Sequence, residues 1–133
     1  MTANNPAAEA TLLRLRDLRR GLLHLHKALL DTERAAYEQA MGRVTSGELL
    51  QLVLNDEQFA WLRFFSELIV RIDEMLDADE PVAEEEAVSL LEQARRLLKP
   101  SEEGDEVGRK YFAALQREPD IVLAHRQVTK ILG

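Results

Sequence analysis

Apolar residues recur along most of this chain at alternating steps of three and four, the spacing that lines one face of an α-helix. No stretch alternates apolar and polar residues as a half-buried strand does. The strongest pattern runs from about Ala7 to Met41, where Leu15, Leu18, Leu22, Leu25, Leu29, Thr32 and Ala36 form one seam. It predicts a single long helix with the seam of a bundle or coiled coil. Gly21 interrupts the pattern at a cost of about 1 kcal/mol relative to Ala, the mark of a bend or a close helix crossing. Gly42 suits the C-terminal stop.

Caps and breakers divide the rest. Thr45-Ser46-Gly47-Glu48 has the T-x-x-E spacing of a capping box and predicts a short helix from Ser46 to Leu54. Asn55, with Gln58 three residues later, repeats the logic and opens a helix to about Asp77. That helix is the most apolar of the chain and leaves only Arg63, Glu67, Arg71 and Glu74 as a polar strip. Such a helix is central, or is shared with a second subunit. Pro81 fits a first helical position, and the next helix runs to Lys99, before Pro100. Glu84, Glu85 and Glu86 near its start and Arg95, Arg96 and Lys99 near its end match the helix macrodipole. After a polar loop at 101–105, one helix ends near Arg117 and another, opened by Pro119, runs from Asp120 to Leu132. The expected fold is all-α: an antiparallel bundle of about four main helices plus one short helix, with a long N-terminal helix. One domain is expected over 1–133, with 1–6 flexible.

Three stretches carry a resemblance. G-E-L-L-Q-L-V-L-N-D-E-Q-F-A-W-L-R at 47–63, L-I-V-R-I-D-E at 68–74 and P-S-E-E-G at 100–104 resemble an uncharacterised family of small bacterial helical proteins. The similarity extends from about Leu12 onward. It implies a bacterial source and a helical fold, and brings no activity, ligand or site residue with it.

Charge narrows the class of partner. The net charge is −7, against the excess of Lys and Arg that phosphate neutralisation needs, so no nucleic-acid partner is expected. The charge is uneven: residues 1–43 carry a net +2, residues 44–107 a net −12, and residues 108–133 a net +3. Oppositely charged helices lying side by side would account for this layout. The start, MTANNPAAEA, lacks the basic and apolar regions of a signal peptide, and no apolar run reaches the roughly 18 residues of a spanning helix. A soluble, cytoplasmic protein without a membrane partner is the expectation.

Chemistry is sparse. There is no cysteine, which excludes disulfides and thiolate sites. His24, His26 and His125 stand in no Glu-x-x-His pair and no H-E-x-x-H, so neither a metal nor another cofactor is expected. No serine lies in a G-x-S-x-G elbow, no glycine loop could cradle a phosphate, and no catalytic residue is assigned. The basic ridge Arg16, Arg20, Lys27 and Arg34 has no aromatic residues between its members for stacking on bases. The one anomaly is a polar stripe. Arg19, His26 and Glu33 fall at intervals of seven inside the apolar arc of the first helix, and Ser66 and Asp73 intrude similarly on the third. Groups at such positions need partners or water. A charge-compensated network of Arg19, His26, Glu33 and Asp73 is expected, structural in role, with a ligand-binding site as the alternative. The expected function is interaction: a homodimer, or a bundle that docks on another protein. The competing class is a small-molecule-binding or catalytic bundle that uses the stripe.

Overall fold

The computed structural model describes residues 5–133. Of these, 80% are helical and none lies in a strand. The helices are α1 (Glu9–Met41), α2 (Ser46–Asn55), α3 (Arg63–Leu76), α4 (Glu84–Leu97), α5 (Glu106–Arg117) and α6 (Pro119–Leu132), with a 3₁₀ segment (Glu57–Leu62) before α3. This is the all-α fold with a long first helix that the periodicity implies. Thr45 caps α2 with both halves of the capping box present, and Gly42 leaves α1 at φ 91, where a side chain would be strained.

Two boundaries differ from the pattern, each for a local reason. Asn55 does not cap a long helix; it ends α2, and Asp56 accepts from the Gln58 amide to start the 3₁₀ segment. The tighter winding buries Phe59, Trp61 and Leu62 together, and regular α-spacing then resumes at Arg63. Pro81 does not open α4. Residues before Glu84 pair instead with the chain's start: Ala7 N–H donates to Val82 O at 2.6 Å and Glu84 N–H to Asn5 O at 2.8 Å. The Glu84 carboxylate then accepts from Ala8 N–H and the Thr11 hydroxyl, closing the N-terminal end of α1. Asn5 and Pro6 are thus tied down. Residues 1–4 of the expected flexible stretch lie outside the described residues.

Side-chain pairings give the direction of each helix. Arg19 meets Asp73 and Glu33 meets Gln58, so α3 runs antiparallel to α1. Arg71 meets Gln93, so α4 turns back along α3. Gly21 lies against Val128 and Ile131 while Thr32 and Ala35 share a cleft with Asp120 and Ile121, so α6 runs antiparallel to α1, and Tyr111 of α5 meets His125 of α6. Arg95, near the end of α4, reaches the Leu132 carbonyl at the end of α6. Helices α4 and α6 therefore meet end to end along α1. At 1.5 Å per residue each spans about 21 Å, so the two in tandem cover most of the roughly 50 Å of α1. One half of the molecule is α1, α3 and α4; the other is α1, the 3₁₀ segment, α5 and α6. The core joins both through Leu15, Leu18, Leu22, Leu25 and Leu29 of α1, all at most 1% exposed.

Candidate functional site

The stripe sits at the α1–α3 edge, half-buried, and it is not the closed network its spacing suggests. Arg19 Nη1 lies 3.1 Å from Asp73 Oδ1, with both side chains more than 40% exposed. Glu33 turns the other way: its Oε2 accepts from Gln58 Nε2 at 2.9 Å, and its carbonyl oxygen accepts from the same amide at 3.2 Å. Among the described residues no hydrogen bond joins His26 to Arg19, Glu33 or Asp73. Burial alone lowers the His26 pKa, which keeps the ring neutral at neutral pH. The physical reason is length. From Arg19 to Glu33 the helix rises about 21 Å, so the members cannot converge on one small ligand. Arg19 instead pins α3 and Glu33 pins the 3₁₀ segment.

Exposure sets the energetics. An ion pair this open to water contributes between zero and about 1 kcal/mol. Arg19→Ala and Glu33→Ala are each expected to lower the stability measured by urea unfolding by less than about 1 kcal/mol. A loss above about 2 kcal/mol in either would restore the buried-network reading.

Arg19 also lines a cleft of about 330 Å³ with Arg16, Arg20, Leu23, Leu76 and Asp77. Three guanidinium groups in one cleft suggest an anion site. The charges around them argue otherwise: Asp73 holds Arg19, Asp77 is in the wall, and the C-terminal end of α3 adds partial negative charge. The arginines balance the end of α3.

The residues that pattern reasoning missed are Tyr111 and His125. Tyr111 is fully buried, and its hydroxyl lies 2.6 Å from His125 Nδ1. Burial raises the phenol pKa and lowers that of the imidazole. The phenol therefore donates to an unprotonated Nδ1. A phenol so reluctant to ionise is no general base; the pair satisfies the buried phenol with the half-buried imidazole beside it. It also ends an aromatic chain: Trp61–Phe65 at 5.8 Å between centroids, Phe65–Tyr111 at 5.6 Å and Tyr111–His125 at 5.4 Å. The chain ties the 3₁₀ segment, α3, α5 and α6 together. A signal was present, because His125 follows Ile121 and precedes Val128 at helical spacing. Its partner could not be read from the sequence. Trp61 Nε1, at the other end, is buried without a hydrogen-bond partner among the described residues.

Among the described residues no three His, Asp or Glu side chains are grouped to hold a metal, and no helix is long and apolar enough to cross a membrane. The remaining irregularity is α2. Leu49, Leu50, Leu52, Val53 and Leu54 make half of this ten-residue helix, yet none of its side chains is buried. It packs mainly on the 3₁₀ segment, with Leu50 and Leu54, one turn apart, 56% and 54% exposed. Arg63 Nη2 bonds the Leu54 carbonyl, and the next residue, Phe64, is also 54% exposed. Comparison with protein-family models, with curated proteins and with solved structures gives no match to this chain.

Proposed function

We propose that the protein is an interaction module, a helical bundle that associates with a second copy of itself or docks on another protein through its α2 end. The observation that carries this reading is α2, whose Leu49, Leu52 and Val53 pack partly buried against the core while Leu50 and Leu54 face water. Covering Leu50 and Leu54 removes apolar surface from water at about 25 cal/mol per Å², and a second copy with the same helix is the commonest partner. The segment before Asp77 turns most of its apolar side chains inward, as Phe59, Trp61, Leu62, Phe65, Leu68, Ile69 and Ile72, and is central without a second subunit, with Phe64 and Val70 left exposed. The reading rests on α2 alone.

The alternative is a small-molecule site on Arg19, His26, Glu33 and Asp73, and the spread of the first three along α1 speaks against it. Light scattering coupled to size exclusion is expected to give a dimer, and Leu50→Glu/Leu54→Glu a monomer of unchanged helix content. A wild-type monomer at concentrations on the order of tens of micromolar would remove self-association from the proposal.

A further inference from the structure

We propose that the groove between α3 and α4 is a docking site for a basic amphipathic helix of a partner protein; this rests on the reading of the protein as an interaction module and names a second surface and its partner's chemistry. The groove has a volume of about 680 Å³, with Met75, Val82 and Leu90 as its apolar floor. Its rims are acidic, with Glu74 on the α3 side and Glu85 and Glu86 on the α4 side. None of the three has an ion-pair partner among the described residues. Arg71 is the one cation lining the groove, and it is held at the far end by the Gln93 amide at 2.9 Å. The N-terminal macrodipole of α4 offsets about half a charge, which leaves the groove negative.

The rest of the molecule does not neutralise it. Of the five ion pairs among the described residues, four lie within one helix at i,i+3 or i,i+4, and only Arg19–Asp73 joins two helices. Most of the acidic side chains behind the net −12 of residues 44–107 therefore have no ion-pair partner on α1 or α6 among the described residues. Side-by-side pairing of opposite charges accounts for the α1–α3 edge, where Arg19 meets Asp73, and not for the groove.

Shape and charge together select the occupant. Two antiparallel helices offer an elongated trough, and a third helix laid in it repeats helix-on-helix packing. Along α4 from Glu85 to Gln93 the trough is about 12 Å long, just over two turns, enough for anchors at i, i+3 or i+4, and i+7. Lys and Arg flanking those anchors would meet Glu74 on one side and Glu85 and Glu86 on the other. A second copy fits less well. Arg14, Arg16 and Arg20 are on α1, away from which the groove opens. A copy's α1 seated there would build an open head-to-tail string and not a closed dimer.

The test uses the full chain and a synthetic peptide of about 18 residues, with Leu at helical i, i+3, i+4 and i+7 positions and Lys elsewhere. The peptide is expected to bind in calorimetry and to shift the Met75 methyl resonance while leaving that of Met41 in place. Glu74→Gln/Glu85→Gln/Glu86→Gln should weaken it about tenfold. Glu102→Gln/Glu103→Gln/Glu118→Gln, an equal charge change elsewhere, should change it by less than about twofold. A peptide with Ser in place of Leu should not bind. Equal loss in both triple variants, equal binding by the Ser peptide, an unmoved Met75, or no binding by the wild type would each overturn the proposal. So would a wild-type mass that grows with concentration and collapses in the groove variant, since a second copy would then be the occupant. Peptide failure in a protein that still dimerises through Leu50 and Leu54 defeats this inference alone; a monomer that binds the peptide defeats only self-association.

Discussion

Phe65→Ala is expected to lower stability by about 3–5 kcal/mol, a large part of what a domain of this size has. Phe65 is fully buried in α3, with the Trp61 ring 5.8 Å away on one side and the Tyr111 ring 5.6 Å away on the other. Removing the ring leaves a cavity where the 3₁₀ segment, α3 and α5 meet, and the two flanking aromatics lose their edge contacts. Urea unfolding followed by near- and far-ultraviolet dichroism checks this. The near-ultraviolet signal should fall even where the helix signal persists, because the rings around position 65 lose fixed packing. Val70→Ala, in the same helix but 51% exposed, should cost no more than about 0.5 kcal/mol. A Phe65→Ala loss below about 1.5 kcal/mol would show that the aromatic chain is not close-packed.

Gly21→Leu is expected to cost about 2–3 kcal/mol by forcing α6 off α1. A Cβ at position 21 would lie 3.0 Å from Val128 Cγ2 and 3.5 Å from Ile131 Cδ1, so a leucine must displace Val128 even where its end turns toward the open cleft beside Gln127. Gly21→Ala is a finer probe. Its methyl gains up to about 1 kcal/mol of helix propensity and loses it again unless Val128 yields by a few tenths of an ångström. Adding Val128→Ala makes room, so the two substitutions together should cost less than the sum of the two alone. Thermal unfolding of the four variants against wild type reads the coupling. Gly21→Leu as stable as wild type would mean that α1 and α6 do not cross there.

The helical content, the long first helix and most ends of the elements were legible because each rests on residues near one another in the chain. The seam from Leu15 to Leu29 reads as buried at helical spacing and is buried. Thr45 and Glu48 form their capping box from contacts spanning three residues. Gly21 marks a close crossing, one of the two meanings its place in the seam allows. Where the reading stopped, the deciding contact lay far along the chain. The start of α4 is set by residues more than seventy positions earlier, through Ala8 and Thr11 on Glu84. The stripe reads as one network because heptad spacing puts Arg19, His26 and Glu33 on one face. Only the neighbours, Asp73 for one end and Gln58 for the other, show that its members serve different contacts.

Periodicity and caps by themselves determined that this chain is all-helical, where its long helix runs and which leucines of that helix point inward. Tertiary structure alone decided that α4 and α6 share α1 end to end, that Tyr111 finds His125, that Phe65 is buried while its neighbour Phe64 is not, and that Glu74, Glu85 and Glu86 are left without ion-pair partners among the described residues. The physical reason is range. Helix propensity, capping and the apolar arc act over three or four residues and are written locally. Which apolar arc meets which, and which charges are left without a partner, depends on how whole helices pack, and no single segment encodes that.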